Sequence, residues 1–150
     1  MAFVAILMGS ESDRDVMKRA EEQLAEFVVD YETNVLSAHR QPEALVAYIR
    51  EAESRGCAVF ICAAGMAAAL PGVVAAHTAK PVVGVPIASG GLGGLDALLA
   101  IVQMPKGVPV ATVAINGAQN AALLAVQIMA AADAELARLF EAFKQRLSAG

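Results

Sequence analysis

The residues of this chain that can do chemistry near neutral pH are few, and they are grouped. The segment S-A-H-R, Ser37 to Arg40, sets one of only two histidines between an alanine and an arginine, two residues after a serine. A free imidazole titrates near pH 6.5, so His39 suits proton transfer in both directions, and Arg40 suits a phosphate. The segment M-G-S-E-S-D, Met8 to Asp13, offers backbone N–H groups at a helix start and the Ser10 and Ser12 hydroxyls, the ingredients of an anion site. Asp13 would repel a phosphate and fits ribose hydroxyls better. Each segment also has a plainer reading: a tight turn with a helix cap for the first loop, and a helix-capping structural histidine for the second. Convergence on one crevice favours the chemical reading. His77 lies well along an expected helix, away from its loop-facing start, and reads as structural or surface. Gly90, Gly91, Gly93 and Gly94 make either a flexible loop or a lid whose small residues let backbone amides approach a carboxylate. No paired loop carboxylates of a glycosidase and no metal-ligand spacing appear, so no metal site is expected.

The elements that would position these loops follow from periodicity. Phe3 to Met8 is a short apolar strand ended by Gly9, and Asp13 to Phe27 is a helix with Val16, Met17, Ala20, Leu24 and Phe27 on one side; Ser12 and Asp15 fit a capping box. Alternation makes Val29 to Val35 a half-exposed strand ending beside Ser37. Pro42 begins a helix through Leu45 to Arg55, closed by Gly56. Ala58 to Ala63 is a buried strand, Pro71 to His77 a helix, Pro81 to Val85 a strand, Leu95 to Gln103 a helix and Val110 to Ala114 a strand. Ala118 to Ala132 and Asp133 to Leu147 complete the chain as helices. Such alternation predicts an α/β three-layer sandwich with a parallel, doubly wound, flavodoxin-like sheet. Ligands bind such sheets outside the carboxyl ends of the strands, where the loops after the first four strands fall.

Composition bounds the rest. A chain of 150 residues is the size of one domain, spanning 1–150. The net charge of −4, without a basic run, provides no footprint for nucleic acid. A hydrophobic content of 57% and a mean hydropathy of +0.56 favour an oligomer, and the nearly uncharged helix at 118–132 is the expected subunit contact. Cys57 and Cys62 should point to opposite faces of a strand and remain free thiols, as in a reducing, cytoplasmic setting. The opening apolar run reads as a strand rather than a signal peptide. Between Cys57 and Ala76, Gly65 and the Pro71–Gly72 pair break an uncharged run that would otherwise suggest a membrane span.

With M-G-S-E-S-D, S-A-H-R-Q-P, A-A-L-P-G, G-V-P, I-V-Q-M-P-K-G-V-P-V and N-A-A-L-L-A in that order, nearly the whole sequence resembles the class I N5-carboxyaminoimidazole ribonucleotide mutases of purine biosynthesis. The resemblance implies a homo-octameric enzyme without cofactor or metal that moves a carboxylate from an exocyclic nitrogen to ring carbon 4. It implies that Ser10, Ser12, Asp13 and Arg40 bind the ribonucleotide and that Ser37 and His39 lie near the imidazole. Ala64, Gly65 and Leu70 of the third loop join the substrate site, and His39 is the acid and base. Two positions depart from the pattern. Ala69 stands where many relatives have a histidine before L-P-G, and Met66 replaces a small residue, so a second histidine is not required. Two alternatives differ in class: a direct aminoimidazole ribonucleotide carboxylase, which typically has lysine after S-A-H, and a non-catalytic module that binds a phospho-ligand.

Overall fold

A computed structural model describes residues 1–150. Five strands, β1 (Phe3–Met8), β2 (Tyr31–Val35), β3 (Cys57–Gly65), β4 (Val82–Ile87) and β5 (Ala111–Thr112), form one parallel sheet in the order β2-β1-β3-β4-β5. The expected architecture is therefore present. Every residue of β1 and of β4 is buried, as strands covered on both faces require. Along β1 the side chains alternate: Val4, Ile6 and Met8 enter one core, Phe3, Ala5 and Leu7 the other.

The first core lies beneath α1 (Arg14–Glu26), α5 (Ala118–Ala130) and α6 (Ala134–Ala149). The second lies beneath α2 (Pro42–Ser54), α3 (Leu70–His77) and α4 (Leu95–Val102). Pro42 occupies the first turn of α2, where a missing N–H costs nothing, and the Asp133 carboxylate caps α6 by accepting from Leu136 N–H at 3.0 Å. Phe27 stacks on Phe140 with ring centroids 5.8 Å apart and meets Phe143 edge-on at 5.6 Å, which seats α6 against the end of α1.

Several expectations change. Helix α5 is not a free greasy surface: α1 and α6 of the same chain pack on it, and Ala121, Ala122, Ala125 and Val126 are buried there. Its apolar character satisfies an internal layer, and an exposed apolar stripe lies instead on α4, where Leu95, Leu99 and Val102 follow helical spacing. Cys57 and Cys62 are both free but share one core, because the pairing of β1 with β3 shifts register between Phe3 and Val4 and the extra residue reverses the parity. Strand β5 is shorter than Val110 to Ala114. Pro109 cannot donate to a ladder, and beyond Thr112 the edge continues only as isolated bonds, Val113 N–H to Gly84 O and Asn116 N–H to Pro86 O.

Gly84, in the middle of β4, is where this sheet meets α4 most closely. A Cβ there would lie 2.5 Å from Ile101 Cγ2 and 2.9 Å from Val110 Cγ1, closer than carbon atoms pack without a shift. Gly84→Ala is expected to destabilise the fold by about 1–3 kcal/mol, as overpacking does, read as a lower midpoint in urea unfolding.

Candidate functional site

The carboxyl ends of β1 to β4 open onto one cleft of about 500 Å³. This is the edge at which the strand order reverses between β1 and β3, the ligand position of doubly wound sheets. The nine residues that the resemblance assigns to the site line it: Ser10, Ser12 and Asp13 after β1, Ser37, His39 and Arg40 after β2, and Ala64, Gly65 and Leu70 from the end of β3 into α3; Gly90, Gly91, Gly93 and Gly94 do not. His77, at the far end of α3, does not line it.

The first loop is built differently from the expected capping box. A 3-10 turn, Glu11–Asp13, precedes α1, and its cap is Ser10, whose hydroxyl accepts from Ser12 N–H at 3.4 Å and lies 3.0 Å from the Ser12 hydroxyl. Gly9 N–H donates to Ala63 O at 3.1 Å, which ties this loop to the end of β3. The two serine oxygens are thus held side by side at a turn entering a helix, while Asp13 is the residue from which α1 starts.

Ser37 is buried and holds the second loop from within. Its hydroxyl accepts from Arg40 N–H at 3.1 Å and its carbonyl from Gln41 N–H at 2.8 Å, while its own N–H donates to Gln41 Oε1 at 3.3 Å. The residues between, Ala38 to Arg40, form the turn that puts His39 and Arg40 in the exposed mouth of the cleft. Arg40 leans across to the first loop, with Nη2 donating to Gly9 O at 3.4 Å. Of the N–H donors of its guanidinium, only Nη2 bonds to the protein, through that contact to Gly9 O.

The third loop is the most constrained backbone in the cleft. Met66 at φ 56° and Ala68 at φ 41° adopt the left-handed region that side chains disfavour, and Ala68 N–H closes the turn on Gly65 O at 3.0 Å. Met66 is exposed, and its side chain faces Gly90 of the fourth loop. Beside its neighbours Ala64, Ala67, Ala68 and Leu70, the fourth loop adds Ser89. Sequence reasoning missed Ser89: the glycines around it drew attention, although a lone hydroxyl at the end of a buried strand was a signal. No three His, Cys, Asp or Glu side chains come together where they could hold a metal ion.

The architecture and motifs have counterparts among known proteins. The family model described as AIR carboxylase matches residues 3–149. This chain belongs to the AIR carboxylase family. It is 55% identical over 145 residues to the N5-carboxyaminoimidazole ribonucleotide mutase of Saccharolobus solfataricus, covering 97% of this chain and 92% of that protein. It is 52% identical over 144 residues to the phosphoribosylaminoimidazole carboxylase of Schizosaccharomyces pombe, 96% of this chain but 26% of that longer protein. The crystal structure of Treponema denticola PurE superposes with a TM-score of 0.90 at 30% identity, covering 99% of this chain and 92% of that one. This AIR carboxylase family member thus shares its fold as well as its sequence with its relatives.

Asp13 is the electrostatic exception in the cleft. Burial raises its carboxyl above the ordinary aspartate range, and a hydrogen bond from the Ser10 backbone offsets only part of that. A carboxyl whose folded value is raised makes the native state bind more protons, so it weakens the fold above its raised value and stops doing so as pH falls below the ordinary value. Asp13→Asn is therefore expected to raise the melting temperature of the free protein at pH 7, with the gain shrinking as the pH is lowered through the acid range. A stability gain that grows toward acid pH would contradict this assignment of strain.

Proposed function

We propose that this chain is an N5-carboxyaminoimidazole ribonucleotide mutase, an isomerase of purine biosynthesis built as one domain over residues 1–150. The observation that carries the reading is the meeting of the M-G-S-E-S-D and S-A-H-R loops at one cleft, in a chain more than half identical to a relative named for that activity. In this reading Ser10, Ser12 and Arg40 hold the phosphate, Asp13 accepts from ribose hydroxyls, and Ser37 and His39 flank the imidazole. Ala64, Gly65 and Leu70 make the apolar wall behind the ring. The free buried thiols, Cys57 and Cys62, suit a cytoplasmic enzyme, and no helix is long and apolar enough to cross a membrane.

One histidine suffices for the chemistry. The bond from the exocyclic nitrogen to the carbamate carbon breaks, its electron pair stays on nitrogen, and the His39 imidazolium supplies the proton that nitrogen then needs. Carbon dioxide is released within the cleft. Ring carbon 4 attacks it to form the new C–C bond, and the now neutral His39 removes the carbon 4 proton. The proton lent in the first half is recovered in the second, which agrees with His39 being the one histidine that lines the cleft. Exclusion of water by the third and fourth loops would keep carbon dioxide from escaping.

The enzyme is also proposed to be a homo-oligomer, eight-membered as the resemblance implies. Leu92, Leu95, Leu99 and Val102 expose 45–66% of their surface along α4 and the loop before it. A second subunit against α4 would cover them. Leu99→Glu is expected to shift the protein to smaller species in light scattering; a parent that is itself monomeric would end this part of the reading.

A second reading, direct carboxylation of the aminoimidazole ribonucleotide, draws on the S. pombe relative named as a carboxylase. Substrate carrying heavy carbon in its carbamate, turned over in excess unlabelled bicarbonate, separates the two. The mutase keeps most of the label in the carbon 4 carboxylate of early product; extensive dilution, together with conversion of the uncarboxylated amine at low bicarbonate, identifies the carboxylase. His39→Asn is expected to lower turnover about 10²–10⁴-fold with ligand affinity nearly intact. Activity within tenfold of the parent would remove His39 from the acid and base role.

A further inference from the structure

The apolar end of the cleft contains one polar side chain whose purpose the fold does not explain. Of the side chains that the ends of β3 and β4 send into the cleft, Ser89 is the only one with a polar group. It stands at the capping position of a 3-10 turn, Gly90–Leu92, in extended backbone, yet its side chain makes no capping hydrogen bond. A serine at a cap normally uses its hydroxyl there. This hydroxyl lies instead directly over the Gly65 α-carbon: a Cβ on Gly65 would collide with Ser89 Oγ and would also lie 3.3 Å from Ile87 O. Glycine at 65 thus makes the space that the hydroxyl fills.

The position is held from a second side. Asn116, in the left-handed conformation at φ 60°, accepts from Ala88 N–H through Oδ1 at 2.9 Å and donates its own N–H to Pro86 O at 2.7 Å. Those two bonds straddle the end of β4 immediately before Ser89. A partly buried hydroxyl, fixed by its neighbours and free of bonds to the protein, has its hydrogen-bonding capacity directed at whatever occupies the cleft.

We propose that the Ser89 hydroxyl donates a hydrogen bond to the migrating carboxylate and sets the preference for carboxylated over uncarboxylated ribonucleotide. The proposal rests on the mutase reading of this cleft. Strand order supplies the direction. Arg40, Ser10 and Ser12 mark the phosphate end at the β2 and β1 loops, and β4 lies two strands beyond β1, about 10 Å away at the spacing of neighbouring strands. The end of the ligand farthest from its phosphate is the substituted ring, which in the mutase reading lies between His39 of the β2 loop and the wall at Gly65, so its edge away from His39's loop, where the carboxylate is carried, meets Ser89. A neutral donor also suits the chemistry better than a cation there. A fixed positive charge would hold the anionic carboxylate of the ground state far more strongly than the neutral carbon dioxide through which it passes, and so would raise the barrier.

The test compares two ligands on one variant. Calorimetry gives the affinity of the parent and of Ser89→Ala for 4-carboxy-5-aminoimidazole ribonucleotide and for the same ribonucleotide without its carboxylate, with thermal unfolding as the control for folding. The expected result is a 10-fold or greater loss of affinity for the carboxylated ligand, within the range for a hydrogen bond to a charged group, and less than a twofold change for the other. Equal losses for both ligands, or none for either, would overturn the proposal. Turnover by the parent is scored separately. A parent that isomerises while Ser89→Ala treats both ligands alike removes the role of Ser89 alone; a parent that does not isomerise, yet whose ligand preference collapses in Ser89→Ala, removes the mutase reading and leaves the carboxylate contact.

Discussion

A strand covered by helices on both faces has no side on which to put a polar residue. In β1 and β4 every residue is buried, and β3 is apolar throughout its length, so the interior of this sheet excludes chemistry altogether. Parallel pairing then brings all the carboxyl ends to one edge, where the loops after β1 to β4 meet. The cleft is the result of this exclusion. Its composition follows from the same constraint, because the loop after β3 leaves a wholly apolar strand and stays apolar, while the loops after β1 and β2 carry the charge.

The division of labour within the loops is finer than residue type alone shows. Ser37 spends its hydroxyl oxygen on the turn that presents His39 and Arg40, and Ser10 spends its own on the turn that starts α1. Neither bond consumes the hydroxyl hydrogen; Ser37 can still donate outward, while Ser10 and Ser12, whose hydroxyls lie 3.0 Å apart, share one hydrogen between them and keep one to donate. Structure and recognition therefore share the same atoms. Arg40 does likewise, resting one N–H on Gly9 while others face the cleft. Such sharing means that loss of one of these groups disturbs both the shape of the loop and its contacts.

Much of this was legible in the sequence, for reasons that differ by element. Strand and helix order came from periodicity, and the residues lining the cleft from motifs that fall where a parallel sheet must place them. What failed depended on contacts between distant segments. The helix at 118–132 is apolar because α6 folds back over it, which no local pattern can reveal. The cysteines share a face because one extra residue enters β3 opposite β1, and a shift of one residue inverts every later assignment of side. The expected cap at Ser12 gives way to Ser10 capping a 3-10 turn, with α1 starting from Asp13 beyond it, and a three-residue turn has no periodicity of its own. Ser89 was passed over since its meaning lies in its proximity to Gly65, twenty-four positions earlier in the chain.

The left-handed residues of the third loop bear on how a ligand would be met. Met66 and Ala68 hold conformations that cost an ordinary side chain about 1–2 kcal/mol each. A chain free to relax would leave them, so the surrounding contacts, including the bond from Ala68 N–H to Gly65 O, must outweigh that cost before anything binds. The apolar wall is in this sense rehearsed. An incoming molecule finds the backbone already in shape and surrenders little of its binding free energy to ordering it, so weak contacts from alanines and a leucine suffice where a slack loop would have demanded stronger ones.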